Sequence, residues 1–204
     1  LDALIDLPVY CFHPEPGGKL HMKKLLALLL ILTLVNVCLG FALAEETAAV
    51  PEPEKHTSGD YEYVILEDGT AEIRNYTGKA EELIIPDELD GIRVTSIGDD
   101  AFFGCDSLTS VTIPDSVTGI GKNPFACCNK LTDIVVSIDH PYLATIDGVL
   151  FSKPDKRLVC YPCAFTADSY VIPNGIQIIG NDAFYDCDSL TSVTIPDSVT
   201  SIGK

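Results

Sequence analysis

Apolar residues recur along this chain in blocks of fixed spacing. Leu108, Val111 and Ile113 stand three and then two residues apart. The same spacing returns in Leu131, Ile134 and Val136, and again in Leu190, Val193 and Ile195. The last two members of each set share one face of a short strand, and Ser110 and Thr112 point to the other face. Pro114, Pro173 and Pro196 end these strands, because proline brings no N–H to a ladder. Pro86 does the same after a looser set of Ala80, Leu83 and Ile85. A second inward pair follows each proline: Val117 with Ile120, Ile176 with Ile179, Val199 with Ile202. Then comes an aromatic position, Phe102, Phe125 or Phe184. The segment GDDAFFGC around the first of these predicts a tight turn with a short helical or 3-10 piece.

These blocks form one repeat. IGDDAFFGCDSLTSVTIPDSVTG starts at residue 97, IGKNPFACCNKLTDIVVSIDHPY at 120 and IGNDAFYDCDSLTSVTIPDSVTS at 179. The first two start 23 residues apart, and the fourteen letters CDSLTSVTIPDSVT occupy both 105–118 and 187–200. No single unit can bury its own apolar residues, but stacked units can, each covering the next. The fold expected is a β-rich solenoid of 23-residue coils in which Phe102, Phe125 and Phe184 stack as one ladder. Cys105, Cys128 and Cys187 share a position three residues after the phenylalanine and form a parallel row of small buried side chains.

The text AFFGCDSLTSVTIPDSVTGIG and AFYDCDSLTSVTIPDSVTSIG resembles the BspA-like, or treponemal-type, leucine-rich repeats of bacterial surface proteins. The resemblance covers residues 80–204, and phase, Pro, Phe and Cys agree across turns. It implies a right-handed, curved leucine-rich repeat coil with short strands on the concave side. It also implies a secreted or surface-displayed protein, of a kind some members of which adhere to host proteins or other cells.

Two stretches break the period. Residues 60–79 contain DYEYVILEDGTAEIRNYTG, which predicts a β-hairpin turning at Asp68-Gly69 and covering the open end of the first coil. Residues 143–169 are longer than the period allows. Within them GVLFSKPDKRLVCYP predicts a second hairpin around Pro154-Asp155, inserted between regular coils. The sequence ends at SIGK, shortly into a new turn.

The beginning of the chain belongs to a different class. From Met22, two lysines, an apolar run and Ala42-Leu43-Ala44 make a secretory signal peptide over 22–44, with cleavage after Ala44. Residues 1–21 precede it and are expected to be translated upstream sequence. Residues 45–59, with their prolines and glutamates, are a linker. The net charge is −17 over 204 residues, from 13 Lys+Arg against 30 Asp+Glu. Such a surface repels phosphate backbones and anionic lipid, which argues against nucleic acid as a partner. Once the leader is cleaved, no membrane insertion is expected.

Candidate chemistry is sparse. Cys160 and Cys163 form a C-x-x-C at the end of a predicted hairpin strand, not at a helix start, so a local disulfide or two free thiols is expected rather than redox catalysis. Zinc would need two more ligands at suitable spacing, and the aspartates lack the density of a calcium loop. His56 and His140 stand beside no nucleophile or acid at a diagnostic spacing. The aspartates recur with the repeat and suit turns and caps. The chain is therefore expected to be non-enzymatic, with no cofactor and no metal. Its binding surface is expected to be the polar face of Ser110, Thr112, Thr132, Ser192 and Thr194, engaging an extracellular or host-surface protein. The alternative is a structural spacer or self-associating surface repeat that presents another domain.

Overall fold

The structure, a computed structural model, describes residues 53–204. The expected upstream segment and signal peptide, residues 45–52 of the linker, Cys11 and Cys38 lie outside the described residues. The described residues form a strand-rich β-solenoid, and among them there is no helix.

The solenoid begins with an antiparallel meander. Strand β1 (Lys55–Ser58) pairs with β2 (Tyr61–Ile65), and β2 pairs with β3 (Ala71–Tyr76). Residues 55–58 fall within the expected linker, yet their backbone finds a ladder along the open edge of β2. Strand β4 (Glu82–Ile84) opens the first coil, followed by β5 (Glu88–Leu89) and β6 (Ile92–Ile97). Then come β7 (Ser110–Ile113), β8 (Gly119–Ile120) and β9 (Asp133–Val136). Successive coils stack in parallel. Strands β4, β7 and β9 make one sheet, while β3, β6 and β8 pair in turn on a second side. Side chains repeat the step: Thr118 Oγ1 donates to the Thr95 carbonyl, 23 residues back.

The I-G pairs mark the closest approach of neighbouring coils. The N–H of Gly98 donates to Ile73 O, Gly121 to Ile97 O, Gly180 to Leu158 O and Gly203 to Ile179 O, all at 2.8–2.9 Å. A side chain on Gly180 would start 2.8 Å from the Leu158 carbonyl oxygen, which only glycine tolerates.

The turns expected to be helical or 3-10 are not helices. In the turn after Gly98, Phe103 N–H bonds back to Asp100 O, but Phe102 N–H and Gly104 N–H reach across to Pro124 O and Ala126 O of the next coil. Asp100 at φ 53° and Gly104 at φ 67° bracket the turn in left-handed conformations. A helix cannot propagate through either residue.

The irregular segment is larger than a hairpin and does more than interrupt. Strands β10 (Leu143–Ile146), β11 (Val149–Ser152) and β12 (Arg157–Cys160) form a second antiparallel meander. Strand β13 (Ser169–Val171), β14 (Ile178–Ile179), β15 (Ser192–Thr194) and β16 (Ser201–Ile202) complete the chain. Strand β12 pairs in parallel with β14, and β14 with β16, repeating the way β3 pairs with β6 and β6 with β8. Strands β13 and β15 form a separate parallel pair.

This second meander is a wall between two cores. Leu150, Val159 and Cys160 pack with the residues of the first coils, and Val149, Phe151, Leu158 and Tyr161 pack with those of the last. Both faces are buried, which is why VLF and LVC read as unbroken apolar runs rather than alternating ones. A register shift between Leu150 and Phe151 turns the neighbours Val159 and Cys160 toward the same core.

The wall divides the expected phenylalanine ladder. Phe102 stacks on Phe125 at 5.2 Å between ring centroids and on Tyr76 at 5.5 Å. Phe184 instead packs on Tyr161 at 5.4 Å. Tyr161 is the counterpart of Tyr76: its N–H bonds Ala183 O as that of Tyr76 bonds Ala101 O. Each meander thus starts its own aromatic row with a tyrosine.

Candidate functional site

The expected face resolves into two separate patches. On the sheet of β4, β7 and β9, register places Glu82, Ser110 and Asp133 in one row and Ile84, Thr112 and Val135 in the next. Both rows point away from the core, which lies under Leu83, Val111 and Ile134. Ser192 and Thr194 lie on β15 of the other parallel pair, beside Ser169 and Val171. The wall separates the patches, so the equivalent pairs Ser110 and Ser192, and Thr112 and Thr194, do not share one sheet.

Thr132 has a different task. It stands just before β9, and its hydroxyl donates to the Thr109 carbonyl one coil back, at 3.4 Å. Thr109 does the same to Glu81 O at 2.8 Å and Thr191 to Asp168 O at 2.8 Å. A row of threonines therefore stitches coil to coil beside the sheet. The signal was present as a recurring Leu-Thr dipeptide at 108–109, 131–132 and 190–191.

The face is also less polar than its serines and threonines suggest. Ile84 is 77% exposed, Val135 45% and Val171 66%. With Thr112 between them, Ile84 and Val135 form an apolar stripe beside the acidic ends of the Glu82–Ser110–Asp133 row. These residues break the repeat text, and periodicity gives no weight to positions that vary.

The cysteines form an orderly thiol row. Cys105 Sγ lies 3.9 Å from the Tyr76 carbonyl, Cys128 Sγ 3.1 Å from that of Phe102 and Cys187 Sγ 3.6 Å from that of Tyr161. Each thiol thus addresses the aromatic residue one coil back. Cys160 and Cys163 stand as free thiols in this structure. Cys160 ends β12 and faces the first core, whereas Cys163 lies past the strand with its Sγ 3.8 Å from Asn129 Oδ1. Burial pushes the Cys160 thiol well up, and burial with nearby Cys163, Asp186 and Asp188 pushes Cys187 up to about 12. Such thiols are poor nucleophiles at neutral pH.

His140 is fully buried and structural. Its Nδ1 accepts the N–H groups of Tyr142 and Leu143 at 3.1 and 3.0 Å, leaving Nε2–H for Pro114 O at 3.1 Å. It pins the exit of the coil of β9 to the coil before it. Among the described residues, no three or more His, Cys, Asp and Glu side chains converge as a metal site would require.

These stacked coils match a known repeat. The family described as BspA type leucine rich repeat region matches residues 71–155 and 159–204, in six copies. This chain belongs to the BspA-type leucine-rich repeat family. The match spans both stacks and is interrupted at residues 156–158, at the end of the turn and the first residues of β12.

Solved structures similar to this BspA-type chain are bacterial. A leucine rich cell surface protein from Faecalibacterium prausnitzii is 23% identical, covering 74% of this chain and 73% of its own, with a TM-score of 0.40. The T. pallidum leucine rich repeat protein is 27% identical over 74% of this chain and 65% of its own, at 0.45. A leucine-rich repeat protein from Eubacterium ventriosum is 19% identical over 71% and 60%, at 0.49. No curated protein matches the chain.

Proposed function

We propose that this protein is a secreted or surface-held, non-catalytic binding module that engages an extracellular protein through the outer face of the β4–β7–β9 sheet. The observation that carries the reading is the exposed stripe Ile84–Thr112–Val135 flanked by Glu82, Ser110 and Asp133 on a rigid parallel ladder. An exposed apolar stripe with a polar rim is the composition of a protein-recognition surface. The ladder is held by backbone bonds and by the threonine row, so the face pays little ordering entropy on binding.

The test is binding of the full chain to immobilised extracellular-matrix and host-cell-surface proteins by biolayer interferometry. The variant Ile84→Glu/Val135→Glu serves as the face-disrupted control. Saturable binding that the variant loses supports the reading. Binding to none of the panel, together with concentration-dependent self-association in sedimentation, would favour the self-associating surface repeat instead.

A further inference from the structure

A second recognition feature lies away from the sheet, at the turns that follow the I-G pairs. Three of these turns stand side by side: Asp100–Phe103, Asn123–Ala126 and Asp182–Tyr185. Asn123 Nδ2 donates to the Asp182 carbonyl at 2.6 Å across a sequence gap of 59 residues, bringing the third turn against the second. Phe102 N–H and Gly104 N–H bond the second turn from the first.

The last position of the turn reads Phe103, Ala126, Tyr185. The aromatic side chain is missing only in the middle turn. Phe103 is 56% exposed and Tyr185 50% exposed, while Ala126 between them is 3% exposed. Asp100, Phe103, Ala126, Asp182 and Tyr185 line a cavity of about 180 Å³. Backbone hydrogen bonds from Phe103 N–H to Asp100 O and from Tyr185 N–H to Asp182 O, both 2.9 Å, close the two turns that carry each aromatic and its aspartate.

The charge in this slot is not balanced. Lys122, the cation beside it, pairs with Asp99 at 3.2 Å. Burial and the negative charges of Asp182 and Asp99 hold the Asp100 carboxyl above its ordinary range, against the pull of Lys122. Asn123, 1% exposed, leaves its Oδ1 without a hydrogen-bond partner in the middle turn. Two carboxylates and two aromatic side chains around a gap of one missing ring suit a flat cation. A guanidinium stacks on aromatic faces and binds carboxylates through its fork of N–H donors.

We infer that the slot between Phe103 and Tyr185, floored by Ala126 and flanked by Asp100 and Asp182, accepts an arginine side chain of a protein partner. The slot shares no residue with the β4–β7–β9 face and stands or falls separately from it.

The experiment is an NMR titration of the full chain with Nα-acetyl-argininamide, with Nα-acetyl-lysinamide and Nα-acetyl-glutaminamide as comparison probes. The expected result is a saturable shift centred on the Ala126 methyl and the Phe103 and Tyr185 rings with the arginine probe. It should weaken by about tenfold or more in Ala126→Phe, which fills the gap, and in Asp100→Asn/Asp182→Asn, which keeps its shape. The wild-type dispersion of the remaining amides checks that each variant is folded. An absence of shift at these residues, an affinity unchanged in the folded Asp100→Asn/Asp182→Asn variant, or an equal response to the lysine probe would overturn the assignment.

Discussion

Arg157 donates through Nη2 to the carbonyl of Ile120 at 3.0 Å, in the place where a glycine N–H of the next coil bonds elsewhere. The backbone ladder stops at β8, and this guanidinium, held by Asp155 at 2.9 Å, takes the orphaned acceptor. Arg157 also lies 3.4 Å from Gly121 O. It joins the first stack to the second along that side, beside the Asn123–Asp182 bond.

Arg157→Ala is expected to cost about 2–3 kcal/mol, since charge-assisted hydrogen bonds to an otherwise unpaired carbonyl are lost. Urea unfolding would measure it. Native-state hydrogen exchange should show the amides of Ile179, Gly180 and Gly203 losing protection before those of Ile97 and Gly121.

Phe102 is fully buried between Tyr76 and Phe125, whereas Phe184 in the last aromatic row is partly exposed. Phe102→Ala is therefore expected to cost about 3–5 kcal/mol and Phe184→Ala clearly less. Denaturant midpoints of the two variants give the order.

Thr109 and Thr112 are three residues apart and differ in role. Thr109→Val removes a hydroxyl donor to Glu81 O at 2.8 Å and should cost about 0.5–1.5 kcal/mol. Thr112→Ala changes an outward side chain and should stay within about 0.5 kcal/mol. Thermal unfolding of both variants separates the stitching row from the open face.

Cys127 sits at φ 57° where the equivalent residues are Gly104 and Asp186. A side chain in that region carries about 1–2 kcal/mol of backbone strain. Cys127→Gly should raise stability by up to about 1 kcal/mol after the added freedom of the unfolded chain is counted. Calorimetry would detect the gain.

Stability should fall on the alkaline side. Burial raises Cys160 and Cys187, the latter to about 12 from 9.0, and burial likewise raises Tyr170 to about 12 from 10.0. Each group stays protonated in the fold while the unfolded chain releases its proton. The stabilisation is complete below the unfolded values and drains away as pH rises from about 9 toward 12. Urea midpoints at pH 7, 9 and 10.5 would show the decline, and iodoacetamide should leave Cys160 unmodified until denaturant is added.

Much of this fold is legible in the residues. The three-and-two spacing of Leu108, Val111 and Ile113 names an inward set, and all three are buried. Residues 143–169 carry less of their structure in their sequence. A continuous apolar run such as VLF fits any buried segment, and only the second core behind it shows why both faces must be apolar. Tyr161 gives no sequence signal as an aromatic-row residue, because it stands in for a phenylalanine at a position the period does not reach. The face was legible in Ser110 and Thr112 but not in Ile84 and Val135, whose importance lies in their register across strands. The slot at Ala126 is visible in sequence only as a missing aromatic, and a repeat search rewards presence.

The fourteen identical residues at 105–118 and 187–200 occupy equivalent places in two stacks that are each headed by their own meander. Genetic exchange between the two copies would delete the wall and the coils around it in one event. The product would run from the meander of β1–β3 into the coil of β15 and β16 with the spacing of its inward positions kept. Such an exchange would shorten the protein by whole modules while leaving the repeat in phase.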